Sequence, residues 1–178
     1  MATFSREEIQ DGLKRLGELA QAQGWSIRLT LVGGAVMVLG YRARHSTRDV
    51  DAVILAPKEA RLVRALAKRV AEENEWPEDW LNDGAKGYLV GISEGPVLFS
   101  APGIEARAPS LEQLLAMKLS AWRDDLDISD ARRLLQEIES GREKDEIWHS
   151  LEPFLVPGDE LTAQYAFLDL WESLYGSD

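Results

Sequence analysis

The sequence contains no cysteine, which excludes a disulfide framework, a thiolate zinc site and a cysteine nucleophile. Its two histidines, His45 and His149, leave little for a histidine-built metal centre. No apolar run approaches the roughly 20 residues that a membrane span needs. The opening residues MATFSREEIQ are polar, without the apolar core of a signal peptide. A cytoplasmic protein with no membrane partner is therefore expected. No internal repeat and no low-complexity segment is found.

What is present fits an ordinary globular protein: 178 residues, 45% hydrophobic and 29% charged. That length suits one domain, or one domain with a helical appendage. The net charge of −11 argues against a protein that coats nucleic acid, and no DNA partner is expected. The charge is unevenly spread. Residues 1–70 carry 12 Lys and Arg against 7 Asp and Glu, whereas residues 71–178 carry 8 against 24. The acidic half reads as a solvated helical surface or as a face for a basic partner.

The chain is organised around Leu29 to Ala56, LTLVGGAVMVLGYRARHSTRDVDAVILA. It reads as an apolar strand, a Gly33-Gly34 turn, a short apolar helix and a basic loop (Arg42, Arg44, His45, Arg48). A second strand follows, opening Asp49-Val50-Asp51. Side chains at i and i+2 of a strand point the same way, so Asp49 and Asp51 leave the sheet together. Paired carboxylates repel unless cations lie between them, and hard oxygen ligands suit Mg²⁺. The glycine pair lets backbone approach a ligand closely and opens a helix whose amides favour phosphate. Phosphate cradle, basic loop and paired carboxylates together describe a nucleotide–metal site. The alternatives are a turn that needs glycine for steric reasons alone, and solvated aspartates at a strand end.

Around this stretch, Ser5 to Ala22 reads as an amphipathic helix with a Ser5/Glu8 capping box, and Trp25 to Val32 as the first strand. Pro57 is expected in the first turn of a helix through Glu73. A loop follows, holding Trp76, Trp80, Asn82 and Asp83. Short strands are expected near Tyr88–Ile92, Val97–Ser100 and Ile104–Ala108. Helices are expected from Ser110 to Trp122, Asp127 to Ser140, Glu143 to Leu151 and Asp159 to Tyr175. The alternation of strands and helices implies an α/β domain over residues 1–109, with a helical region over 110–178. Leu161, Tyr165, Leu168, Trp171 and Leu174 are expected in the core, as are the tryptophans.

The order strand, Gly-Gly, helix, then Asp-x-Asp on the next strand resembles the polymerase-β-type nucleotidyltransferase superfamily. The wording LVGGAVMVLGYRARHSTRDVDAVI is similar to its bacterial branch of AbiEii-type toxins and related nucleotidyltransferases. PEDWLND (Pro77 to Asp83) and LEQLLAMKLSAWRDDLDISDARRLL (Leu111 to Leu135) fit the same branch. The resemblance implies a nucleotidyltransferase-like mixed sheet flanked by helices, with the helical region completing the site. It implies Mg²⁺ (or Mn²⁺) held by Asp49 and Asp51. A nucleoside triphosphate would be bound by Gly33, Gly34, Arg48, Lys118 and Arg123. Lys118 joins the two aspartates as catalytic; Glu105 is the candidate third carboxylate, and the acids that shape the site fall among Asp124, Asp125, Asp127 and Asp130, with Asp127 and Asp130 the candidates. The acceptor would be a tRNA end or a protein hydroxyl, and the setting a toxin paired with a small antitoxin.

The chain departs from the pattern at Gly34, where many relatives have a serine whose hydroxyl contacts phosphate. Bland readings stand beside the resemblance. Glu105 also reads as an exposed strand residue, and Lys118 as a lysine snorkelling from an apolar helix. Capping by Asp127, and exposed pairs with Arg132 or Arg133, would explain the acidic cluster without chemistry. A degenerate relative that binds a nucleotide or a protein without catalysis is the rival reading. A nucleotide-independent RNA-binding domain is the third.

Overall fold

The computed structural model describes residues 2–85, 89–122 and 124–177. It is a mixed α/β fold with a central sheet flanked by helices and a C-terminal helical region. Two compact units form. The first is Met1–Gly87 with Glu94–Pro109, and the second is Tyr88–Ser93 with Ser110–Asp178.

In the first unit, β1 (Phe4–Ser5) leads into α1 (Arg6–Ala22). Ser5 accepts from the Glu8 amide while the Glu8 side chain accepts from the Ser5 amide, so the expected capping box satisfies both orphan donors. β2 (Ile27–Val32), α2 (Gly34–Leu39), β3 (Ser46–Thr47) and β4 (Val50–Ala56) follow, then α3 (Ala60–Asn74) and β5 (Leu81–Asn82). β6 (Val97–Ala101) and β7 (Ile104–Arg107) complete the unit. The five-stranded sheet runs β5-β4-β2-β7-β6. β2 pairs antiparallel with β4 and parallel with β7, and β5 runs parallel to β4.

Register assigns the two faces. Ile27 and Leu29 sit opposite Ile104 and Ala106, and Leu31 sits opposite Ala52. This face is apolar and takes the helices. Gly17 of α1 lies so close to Ile104 and Pro102 that no side chain fits there. Val63 and Ala67 of α3 line a crevice with Ala52 and Ile54. The opposite face carries Arg28, Thr30 and Val32 on β2, with Asp51, Asn82, Glu105 and Arg107 on neighbouring strands. Trp80 is buried, donates Nε1–H to the Ala67 carbonyl at 2.9 Å, and packs edge-on to Trp76.

The helical unit holds α4 (Leu111–Ala121), α5 (Asp125–Glu139), α6 (Lys144–Leu151) and α7 (Glu160–Tyr175). Ser110 caps α4. Four expectations need correction. Tyr88 lies outside the described residues, and 89–92 form no strand. There the Gln113 amide donates to the Gly91 carbonyl and Gln113 Oε1 accepts from the Ser93 amide, so a side chain takes the groups a ladder would use. Pro57 precedes α3 rather than opening it, because residues 57–58 form a bend and Glu59 is the N-cap. Asp124, not Asp127, caps α5, accepting from the Asp127 amide at 3.0 Å. Finally, Leu161, Tyr165 and Leu168 of α7 are exposed, and the core is filled instead by Ala163, Ala166, Phe167 and Leu170.

Candidate functional site

The candidate site lies where β2 ends and β4 begins. Val32 pairs with Asp51, and Gly33 then turns with φ 65° and ψ −142°, a region closed to residues with a side chain. A Cβ at Gly33 would stand 3.1 Å from Asp51 Oδ2, so its backbone lies directly against that carboxylate. Gly34 is constrained differently. A Cβ there would collide with Thr47 Oγ1 and stand 3.3 Å from Arg44 Nη1. No side chain fits at Gly34 without displacing Thr47, since the Thr47 hydroxyl occupies the space. α2 has six residues, fewer than two turns, so its dipole adds little. The turn itself makes the close backbone approach.

Asp49 stands one residue before β4. Asn82 on the edge strand β5 pairs with Asp51, and its Nδ2–H donates to Asp49 Oδ2 at 3.3 Å. The orientation of this amide is set from both ends. Its oxygen accepts from the Gly84 backbone N–H at 3.3 Å, which can only donate, and the carboxylate can only accept. Burial and the charge of Asp79 push the Asp49 carboxyl above its usual range; the Asn82 hydrogen bond and Arg48 pull the other way. A carboxylate made costly in this way gains from a nearby cation.

Asp49 and Asp51 supply hard oxygen donors, the type a divalent ion such as Mg²⁺ takes. No group of three or more His, Cys, Asp or Glu side chains poised for a metal occurs among the described residues. Mg²⁺ does not need one, because it keeps several waters and binds through one or two carboxylates plus substrate phosphates. Asp49 and Asp51 are the residues that would hold it.

The other candidates are placed as follows. Glu105 sits opposite Arg28, four residues along β2 from Val32, roughly 13 Å at about 3.3 Å per residue. Its carboxylate pairs with Arg107 at 2.8 Å, so register does not bring it to Asp51. Arg48 is exposed and acts on the Asp49 charge, whereas Arg44 is the loop guanidinium beside Gly34. Lys118 Nζ bridges Asp127 Oδ1 at 3.1 Å and Asp130 Oδ2 at 2.8 Å. All three side chains are largely buried, which replaces the expected surface pairs: Arg133 pairs with Glu137 and Arg132 reaches Ser173. Arg123 lies outside the described residues.

Asn82 and Arg44 are the site residues that sequence reasoning undervalued. The only advance signal was their position, Asn82 within PEDWLND and Arg44 in the basic loop. No protein-family model, curated protein or solved structure matches the chain, so the functional argument rests on these residues.

Proposed function

We propose that the chain is a nucleotidyltransferase of the polymerase-β type. It would move a nucleoside monophosphate from a triphosphate to a hydroxyl of RNA, such as a tRNA end, or of a protein. The observation that carries this reading is the Asp51 carboxylate lying against the Gly33 backbone, with Asn82, the strand partner of Asp51, donating its side-chain amide to Asp49. A bound Mg²⁺ or Mn²⁺ supplies charge neutralisation at the α-phosphate and at the leaving pyrophosphate.

The chain's own residues do the rest. Gly33, which carries no side chain, would let a ligand held at Asp51 come close to the turn, and Arg44 beside Gly34 and Arg48 near Asp49 place positive charge there. The acceptor oxygen attacks the α-phosphorus, the bond to the bridging oxygen of pyrophosphate breaks, and the hydroxyl proton passes to solvent or a carboxylate. Lys118 in the helical unit is held between Asp127 and Asp130. A small antitoxin partner belongs to this reading as a setting, not as a part of the chemistry.

One observation favours a second reading, a relative that binds a nucleotide or protein without catalysis. Glu105 is tied to Arg107, and no group of three or more His, Cys, Asp or Glu side chains poised for a metal occurs among the described residues. The test is label transfer. The protein is incubated with Mg²⁺ or Mn²⁺, each α-labelled triphosphate and total tRNA or cell lysate, beside the Asp49→Asn/Asp51→Asn double variant. Label on RNA or protein that the variant fails to transfer supports the enzyme. Metal-dependent triphosphate binding without label in either fraction favours the second reading.

A further inference from the structure

Helix α7 is apolar on two opposite sides. Ala163, Ala166, Phe167 and Leu170 form the buried side. At about 100° per residue, Leu161, Tyr165, Leu168, Glu172 and Tyr175 form a stripe on the other. These positions recur at intervals of four, three, four and three, the a/d spacing of a helix that packs lengthwise against another helix. Leu161, Tyr165, Leu168 and Tyr175 are 62%, 63%, 43% and 41% exposed. A ladder of large apolar groups in water on a two-heptad seam is a surface built for contact.

We propose that this seam docks a basic amphipathic helix of another protein. Charge selects the partner. Glu172 stands within the seam, and Asp169 flanks it. Residues 145–178 contain eight acidic residues and no lysine or arginine. A carboxylate at an a/d position is costly unless a cation meets it, and no residue of this segment provides one. A second copy of the chain would bring the same acidic segment and set its carboxylates against Glu172, which accepts a hydrogen bond from the Ser177 hydroxyl but meets no cation within this segment. An anionic bilayer would be repelled. A partner helix with leucine-like residues at its own a/d positions, and Lys or Arg facing Glu172 and Asp169, satisfies both the seam and its charge.

The probe is a synthetic helical peptide of about three heptads, with leucine along the seam and lysine at the flanks and at one seam position. A counterpart carries glutamate in place of lysine. Binding is read by fluorescence anisotropy of labelled peptide in physiological salt, and the oligomeric state of the protein alone by sedimentation.

The expected results are a monomer and binding of the lysine peptide at least about tenfold tighter than the glutamate peptide. Leu161→Ser/Leu168→Ser, which leaves the charge unchanged, should abolish that binding. Glu172→Lys should reverse the preference between the peptides, and it carries the test alone if the double variant fails to fold. Absent or equal binding of the two peptides, or binding that survives the serine substitutions, would overturn the proposal. So would a dimer that those substitutions dissociate, because the seam would then belong to a second copy.

Discussion

Asn82 donates its side-chain amide to the Asp49 carboxylate at 3.3 Å, while its backbone pairs with Asp51 on the neighbouring strand. One residue of a two-residue edge strand therefore holds the Asp49 carboxylate while lying beside Asp51 in the sheet. Hydrogen bonds of this kind orient metal ligands, and their loss typically lowers metal affinity about 10–100-fold. Asn82→Ala should weaken Mn²⁺ binding by roughly tenfold or more. Asn82→Thr, a good strand former whose hydroxyl falls short of Asp49, should match it. Electron paramagnetic resonance of free Mn²⁺ reads both. Wild-type affinity in the threonine variant would show that the amide does not act on Asp49.

Asp49 gives a pH-dependent prediction. Its carboxyl is raised in the folded protein by burial and by Asp79, so between the unfolded and folded values the native state holds more protons than the unfolded one. Stability from this group therefore falls as pH rises through that window, which opens near the ordinary carboxylate value of about 3.9. The full penalty persists at neutral pH. Asp49→Asn should raise the melting temperature of the metal-free protein at pH 7, and the gain should vanish below the window. A variant less stable than wild type at pH 7 would contradict this assignment.

Lys118 tests the helical unit. Its ammonium lies between Asp127 and Asp130, whose side chains are 10% and 2% exposed. Removing one partner from a buried ionic cluster costs about 3–5 kcal/mol. Lys118→Met should lose stability of that order in denaturant titrations at pH 7. A loss below about 1 kcal/mol, the scale of an exposed pair, would contradict the buried cluster.

Gly34 and Thr47 are mutually fitted. Gly34→Ala forces a methyl group into the Thr47 hydroxyl, and overpacking of this kind costs about 1–3 kcal/mol. Adding Thr47→Ala should recover part of it, which a double-mutant cycle measures as coupling. Additive losses would show that the two sites do not interact.

Much of this arrangement was legible from local chemistry. Ser5 with Glu8, Ser110 before an apolar run, and the Gly33-Gly34 turn are signals whose partners lie within a few residues, and each appears in the structure. Contacts distant in sequence were not legible. Asn82 reaches Asp49 only because β5 pairs with β4 across 33 residues, and no local pattern encodes that register. Likewise, which loop arginine folds back on Gly34 depends on the path from Tyr41 to Thr47, so Arg44 rather than Arg48 was a matter of geometry. The α7 stripe failed for a different reason. Helical periodicity marks an apolar face but cannot choose between two, and the small Ala163 and Ala166 allow the closer packing on the opposite side.

Asp49 and Asp51 are proposed to hold a divalent cation beside a triphosphate. Mn²⁺ binding measured by electron paramagnetic resonance, with and without a nucleoside triphosphate, tests it most directly. The account predicts Mn²⁺ binding that the triphosphate strengthens, and loss of both effects in Asp49→Asn/Asp51→Asn with the fold intact by circular dichroism. Equal Mn²⁺ binding by wild type and the double variant, or none by either, would contradict it.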